Sequence, residues 1–187
     1  MNKNDLRVLK TKQSIHLALI KLLKKKPLTH IKVTELCREA NINRGTFYFH
    51  YQEVGGVFKE FYEEIMVDLK ESYQAPYLHT NFLDVANLDP KTVRIFHHIK
   101  KYEDFYKIVF SQDVSTHYYF MLFDEIRSIC IEDQNTLQQY GELNDYLYSY
   151  SANAIMGLII EWHRHDFKDS ADDMNVHLIN ILKLREA

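Results

Sequence analysis

The sequence predicts an all-α protein. Only five glycines and three prolines occur among 187 residues, which is little of the turn-forming material that many short strands require. Hydrophobic residues make up 46% and charged residues 26% of the chain, a composition typical of soluble globular proteins with a sizeable core. Apolar side chains recur at helical spacing through most of the sequence, so we expect a bundle of amphipathic helices.

The first two helices are predicted within the first 40 residues. The first runs from about Leu9 to Lys25, with its apolar side chains along one stripe and lysines on the other faces. Pro27 ends it, because proline has no N–H and clashes with the preceding turn. A second, shorter helix is expected from about Val33 to Ala40.

Residues 41–51, NINRGTFYFHY, are rich in side chains that are common in strands. We nevertheless predict a helix beginning at Arg44, because no partner strand is nearby and ~100° per residue puts Phe47 and Tyr51 on one buried side. Asn41 tolerates the left-handed conformation of a tight turn, and Asn43 is a good N-cap. The remaining hydroxyl, imidazole, amide and aromatic groups would form a contact surface.

Charge divides the chain into a basic head and an acidic body. Residues 1–50 contain 11 Lys or Arg against 3 Asp or Glu, a formal charge of +8, whereas the remaining residues carry −11. Such asymmetry suggests that the head contacts a polyanion. The lysine run at residues 24–26 would by itself be more typical of a solvated helix face. A prediction of DNA binding therefore also needs a helix that can read base sequence.

Two short helices joined by a three-residue turn form a helix-turn-helix pattern, whose second helix enters the major groove of DNA. Residues 31–51, IKVTELCREANINRGTFYFHY, resemble the DNA-binding segment of the TetR family of transcriptional regulators, whose recognition helix typically reads G-T-x-Y-x-H-F. The resemblance covers about the first 60 residues. It implies an N-terminal three-helix DNA-binding domain, a divergent helical ligand-binding bundle, and a homodimer that represses until a small molecule binds.

From this resemblance we expect a helix-turn-helix domain over residues 1–52 and a ligand-binding and dimerisation domain over residues 53–187. The expected partners are a palindromic double-stranded DNA operator, a small apolar or aromatic ligand, and a second copy of the chain.

The resemblance also assigns DNA contacts to the third helix. Thr46, Tyr48 and His50 match family positions that touch DNA, the tyrosine and the histidine chiefly at phosphates. Arg44 and Gly45 occupy the variable start of the helix, where base choice is usually made. The complete set of predicted DNA-contacting residues is Lys32, Thr34, Asn43, Arg44, Gly45, Thr46, Tyr48, Phe49 and His50.

Three positions in and around this segment bear on how it would bind. Phe49 sits where an apolar side chain meets a thymine methyl group. Lys32 replaces the Thr or Ser that commonly caps the second helix, although its ammonium can reach a phosphate. Val54 stands where the family often has a lysine, and Gly55-Gly56 follows it, so one phosphate anchor is missing and a soft hinge is expected.

The acidic body is predicted to be helical throughout. The expected helices are Val57–Tyr73, Asp89 to about Lys101, Glu103–Phe110, Val114–Ile131, Leu143–His165, and a final helix capped by Ser170 with Asp172 and Asp173 in its first turn. Loops are expected at 74–88 and 132–140.

Aromatic residues are concentrated in this body, since 21 of the 25 follow position 51. This suits a pocket for an apolar or aromatic ligand, and it equally suits a well-filled core. The residues that we select as candidates for the ligand pocket are Phe61, Ile65, Phe96, Tyr106, Tyr119, Leu122 and Tyr148.

The last two helices are apolar on more than one side, which predicts more than one packing partner. We expect them to form a four-helix bundle with their symmetry mates, as the resemblance also implies; the alternative is that both stripes are covered within one chain. The predicted interface residues are Ile155, Leu158, Ile159, Trp162, Met174, Leu178, Ile181 and Leu182.

No motif indicates an enzyme, a cofactor or a metal site. Pairs such as His97-His98 and His163-x-His165 cannot both face one ion from a regular helix. No signal peptide or membrane span is evident, so we expect a cytoplasmic protein that does not enter a membrane.

Two alternatives to a DNA-binding repressor stay open. One is a partner-binding co-activator, which the residue at position 54 favours. The other is an all-α enzyme whose catalytic residues come together only in the folded protein.

Overall fold

The structure is a computed structural model that describes residues 3–77, 89–111, 116–132 and 145–184. Every regular element in these ranges is helical, which confirms the predicted all-α class. The α-helices are α1 (Lys3–Leu23), α2 (Val33–Glu39), α3 (Arg44–His50), α4 (Val54–Gln74), α5 (Ile95–Lys101), α6 (Glu103–Val109), α7 (Thr116–Glu132), α8 (Asp145–Arg164) and α9 (Ala171–Leu184). Short 3-10 turns lie at Leu28–His30, Ala75–Tyr77 and Pro90–Thr92.

The chain forms two compact units, one ending at Ile65 and the other beginning at Met66. The N-terminal unit therefore includes residues 54–65 of α4 in addition to the three helices of the predicted DNA-binding segment. The boundary predicted after residue 52 lies between α3 and α4, whereas the compact unit also takes in the first turns of α4.

The N-terminal unit is built around completely buried side chains from each of its helices. Ile15 and Leu19 of α1, Leu36 of α2 and Phe47 of α3 have no exposed surface, and Val57 of α4 joins them. These positions follow the apolar stripes in the sequence. Helix α1 begins at Lys3, earlier than the predicted start near Leu9, because its helical pattern extends through polar residues that periodicity alone does not mark.

The C-terminal unit packs α7 against α8, and α9 against α5 and the turn at Pro90–Thr92. Trp162 is fully buried between the rings of Phe96 and Phe167, at centroid distances of 5.8 and 5.2 Å, and its indole N–H donates to the Asp169 carbonyl. Ser170 caps α9 as predicted, because its Oγ accepts a hydrogen bond from the Asp173 N–H at 3.1 Å.

One helix boundary in this unit was predicted wrongly. The helix expected to start at Asp89 is instead a 3-10 turn capped by Asp89, and α5 begins only at Ile95. Val93 is extended, and its carbonyl accepts a hydrogen bond from Asn175 Nδ2 at 3.0 Å. A side chain of α9 thus takes the acceptor that a continuous helix would have used. The expected loops at 74–88 and 132–140 lie mostly outside the described residues.

Within the described ranges, no helix has the combination of length and apolar character that crossing a bilayer requires.

Candidate nucleic-acid interface

The turn between α2 and α3 has the geometry that its sequence predicts. Asn41 has a φ of 54°, the left-handed conformation that asparagine tolerates better than most residues. The Ile42 N–H then donates to the Cys37 carbonyl at 3.0 Å, which closes the end of α2. This turn sets the direction in which α3 leaves α2.

Asn43 caps α3 with its side chain. Its Oδ1 accepts from the Thr46 N–H at 2.7 Å and lies 3.1 Å from Thr46 Oγ1. A Cβ atom at Gly45 would lie 3.2 Å from this same oxygen, so a larger residue there would crowd the cap. Three predicted DNA-contacting residues, Asn43, Gly45 and Thr46, are therefore also needed to start the helix.

Helix α3 has a buried side and an exposed side. Phe47 has no exposed surface and Tyr51, which follows the helix, is 6% exposed, so both are core residues as the sequence predicts. Tyr48 and Phe49 are 50% and 80% exposed. Two neighbouring aromatic rings therefore lie on the side of α3 that faces away from the core of the unit.

Arg44 and Tyr48 form one unit on the exposed side of α3. The guanidinium lies over the Tyr48 ring at 5.8 Å from its centroid, and a hydrogen bond to Tyr48 is the main reason that the pKa of Arg44 is raised. This contact limits the rotamers of both residues before any partner binds.

His50, at the end of α3, is half-buried, and two further residues predicted to contact DNA lie at the start of α2. Lys32 and Thr34 are exposed there, and Lys32 makes no side-chain cap because an ammonium has no acceptor. Glu35 substitutes for the missing cap by accepting from the Lys32 N–H at 3.0 Å. Both Glu35 oxygens also lie 2.7 Å from Lys26 Nζ, so Lys26 is engaged within the unit. That hydrogen bond is the largest cause of the lowered pKa of Glu35.

Val54 begins α4 as a buried residue, with 8% of its surface exposed. The position where the resemblance would place a lysine is therefore an apolar contact in this chain. Gly55 follows it in the first turn of the helix and is exposed. The face of α4 next to the predicted DNA-binding segment thus starts with less positive charge than the family pattern implies.

An apolar cavity of about 410 Å³ lies in the C-terminal unit. Its walls come from the end of α4, from Val93 and Ile95, and from the facing sides of α8 and α9. Polar groups are few, and include the side chains of Tyr73 and Tyr150. The size is within the range of small-molecule sites, about 300–1,000 Å³.

None of the seven residues predicted for a ligand pocket lines this cavity. Phe61 and Ile65 belong to the N-terminal unit, where the Phe61 ring packs on His16. In the C-terminal unit, Phe96, Tyr106 and Leu122 are completely or almost completely buried, and Tyr119 and Tyr148 are half-buried on α7 and α8.

Tyr106 belongs to a polar chain inside the C-terminal unit. Its hydroxyl lies 2.8 Å from His98 Nε2, while His98 Nδ1 lies 2.5 Å from Asp68 Oδ2. Lys101 also contacts Asp68. Tyr106 therefore orders the interior of this unit through its hydrogen bond to His98.

The eight residues predicted for a dimer interface divide into two groups. Ile159, Trp162 and Met174 are buried inside the chain, so they are not available at its surface, because helix periodicity does not tell which apolar stripe faces the protomer's own core. The other five line the cavity between α8 and α9: Ile155, Leu158, Leu178, Ile181 and Leu182.

A comparison with protein-family models identifies the relatives of this chain. Residues 86–184 match the TetR-type model described as "Transcriptional regulator C-terminal region", which covers more than half of the sequence. The chain belongs to the TetR family of transcriptional regulators. None of the curated proteins is similar enough in sequence to count as a match.

Several solved structures of proteins named as transcriptional regulators have the same fold. A putative TetR-family regulator from Syntrophomonas wolfei superposes with a TM-score of 0.67 at 14% identity, covering 92% of this chain and 93% of that one. The "Dihydroxyacetone kinase operon activator DhaS" gives 0.61 at 15% identity, covering 94% and 95%. NalD of Pseudomonas aeruginosa, "the secondary repressor of MexAB-OprM multidrug efflux pump", gives 0.55 at 20% identity, covering 95% of each chain.

Sequence reasoning missed the cavity and the partners of Lys26. The cavity walls come from four segments, and only α8 and α9 had been linked to a functional surface. The contact of Glu35 with the Lys32 N–H had a usable signal, because an acidic residue at the third position of a helix often accepts from the N-cap N–H. That signal does not mark the pairing of Glu35 with Lys26.

Proposed function

We propose that this TetR-family protein is a DNA-binding transcriptional repressor that acts as a homodimer and is released from its operator by a small apolar molecule. The observation that carries the proposal is the two-sided helix α3. Its buried side fixes the helix in the N-terminal unit, and its exposed side presents a cation, a phenol and an apolar ring. An isolated structural helix has no need of such a surface.

The roles we assign on DNA follow from the chemistry of each exposed group. Arg44 is suited to the two acceptors of a guanine edge, and Phe49 to a thymine methyl. Tyr48, His50, Lys32 and the backbone at the start of α2 are suited to phosphates, which position the protein without reading sequence. The contact of Arg44 with Tyr48 keeps one base-reading group and one phosphate-binding group together.

The cavity between α8 and α9 is the ligand site in this proposal. Its apolar walls favour a hydrophobic molecule, and the two tyrosines offer hydroxyls that fix its orientation. Ser72 and Tyr73 line the cavity from the last turn of α4, the helix that begins in the N-terminal unit at Val54. A ligand that displaces these residues therefore acts on a helix that both units share.

The second copy of the chain is proposed to cover the exposed sides of α8 and α9. Two recognition helices must be held about 34–36 Å apart, or a multiple of this, to read a palindromic operator. Ile181 and Leu158 lie on this face, where Ile181 is 42% exposed in a single chain. Their burial against a symmetry mate would remove apolar surface from water.

The deciding experiment is a fluorescence-anisotropy titration with the DNA that flanks the protein's own gene. We expect saturable binding that weakens steeply with salt, because basic side chains displace counterions from the duplex. Arg44→Ala should change the preferred sequence in a selection from random DNA, whereas Tyr48→Phe should weaken binding to all sequences. An association constant that does not change with salt concentration would exclude the proposed contact with DNA.

An activator role is the second candidate, and the buried Val54 favours it. Without a lysine at this position the chain has one phosphate anchor fewer. The fold of DhaS, described as an operon activator, also shows that this architecture serves activators as well as repressors. A reporter gene fused to the flanking promoter separates the two, since deletion of a repressor raises expression and deletion of an activator lowers it.

A further inference from the structure

A cluster of potential metal ligands lies inside the N-terminal unit. His16 of α1 and Glu60 and Glu64 of α4 bring a ring nitrogen and two carboxylate oxygens within 4.8 Å of one another. His16 Nδ1 is 3.5 Å from Glu64 Oε2. Two ligand atoms on one tetrahedral zinc ion are about 3.4 Å apart, given metal–ligand distances near 2.1 Å, so this pair already has a suitable separation.

The position of the His16 ring is fixed by its surroundings. Only 6% of the residue is exposed, and the Phe61 ring packs on it at a centroid distance of 5.0 Å. On the other side, the Tyr51 hydroxyl is 3.4 Å from Nε2. The two glutamates are one helical turn apart and so project from the same face of α4. Both contacts of the imidazole nitrogens are long, so the ring is held by packing more than by hydrogen bonds.

The two imidazole nitrogens of His16 face different partners. The Tyr51 hydroxyl is hydrogen-bonded to Glu60 and lies 3.4 Å from His16 Nε2. In the tautomer that carries its proton on Nε2, the lone pair of Nδ1 faces the Glu64 carboxylate, and a cation placed between these two atoms would be bound by both.

The carboxylates of this cluster are only partly neutralised by the lysine beside them. Lys12 Nζ lies 2.6 Å from Glu60 Oε1, so its ammonium offsets one of the two carboxylate charges. The Glu64 carboxylate faces His16 Nδ1 instead, which is a neutral ligand atom.

We propose that His16, Glu60 and Glu64 form a binding site for one first-row divalent cation, of the chemistry represented by zinc. One imidazole and two carboxylates match the ligand types of such ions, and the remaining positions are open to water. The ion takes the place between Nδ1 and Glu64, and Tyr51 holds the ring through Nε2. Lys12 competes with the ion for Glu60. An ion here ties α1 to α4 next to Tyr51, the residue that ends the recognition helix.

The test uses the full-length chain without a histidine tag and zinc as the probe, in competition with a chromophoric chelator. We expect one zinc ion per chain. His16→Ala and Glu64→Gln should each weaken binding at least about tenfold. Lys12→Gln should strengthen it, because the competing ammonium is removed. The matched control is His165→Ala, which removes an exposed histidine that lies 3.4 Å from Glu161 on α8.

Circular dichroism of each variant checks that the helices are intact. If His16→Ala loses helicity, Glu64→Gln decides alone, because its side chain is 54% exposed and tolerates the change. The proposal is overturned if the wild type binds no zinc, if His165→Ala lowers the affinity as much as Glu64→Gln does, or if Lys12→Gln weakens binding.

Discussion

Phe47 and Phe49 offer a direct test of the two-sided recognition helix, because they are two residues apart in the same element. In a strand they would share a face, but in α3 they point to nearly opposite sides. Phe47 has no exposed surface and Phe49 is 80% exposed. Replacing each by alanine therefore separates a role in stability from a role in binding.

The expected magnitudes differ widely. Phe47→Ala removes a buried ring that contacts Tyr48 and Tyr51, and such changes cost about 3–5 kcal/mol of unfolding free energy. Phe49→Ala should change stability by no more than about 0.5 kcal/mol, because most of its surface is already in water. On operator DNA, Phe49→Ala should lose an apolar contact to a base and weaken binding, whereas Phe49→Leu should retain much of it.

Urea unfolding followed by far-ultraviolet circular dichroism measures the unfolding free energies of the Phe47 and Phe49 variants. Fluorescence anisotropy measures the affinity of the Phe49 variants for the operator. Circular dichroism is the suitable probe because Trp162, the only tryptophan, lies in the C-terminal unit. The reasoning is refuted if Phe49→Ala destabilises the protein as much as Phe47→Ala, or if it leaves operator affinity and sequence preference unchanged.

Three further outcomes are expected. Ser170→Ala should lower the unfolding free energy by about 1 kcal/mol, measured by urea titration, because the Asp173 N–H loses its cap. Because burial lowers the pKa of His98 despite Asp68, the unfolded state takes up this proton first, so stability should fall as pH drops below the usual value of 6.5. Melting curves should show a smaller acid loss in His98→Gln; an equal loss would contradict this. Leu158→Glu should give a helical monomer in analytical ultracentrifugation, and an unchanged sedimentation coefficient would argue against the proposed interface.

Local signals in the sequence were sufficient for the recognition segment. Asn41 in the turn, Asn43 as the cap and the buried Phe47 each follow from a preference that acts within four residues. The same holds for the cap at Ser170. These features agree with the overall pattern of the fold, so a strand-like composition at residues 47–51 did not mislead the assignment of a helix.

Features that depend on distant residues could not be read in this way. The interruption before α5 arises because Asn175, 82 residues away, takes the Val93 carbonyl. The cluster of His16 with Glu60 and Glu64 likewise has no spacing that a motif search recognises. Periodicity identified α8 as apolar on more than one side, but which stripe faces the interior is decided by the packing of α7 against it and not by α8 itself.

The side of α8 that is not buried within its own chain is the strongest structural reason to expect a second copy of the chain. One stripe of the helix, at Ala152, Met156 and Ile159, is fully buried in its own unit. A second stripe includes Ala154 and Gly157, both exposed. Small side chains at this spacing let another helix approach closely, since the distance between packed helices, about 8–10 Å, is set by the residues at the contact. If a symmetry mate packs there, it also closes the open side of the cavity, so the ligand and the dimer would depend on the same surface.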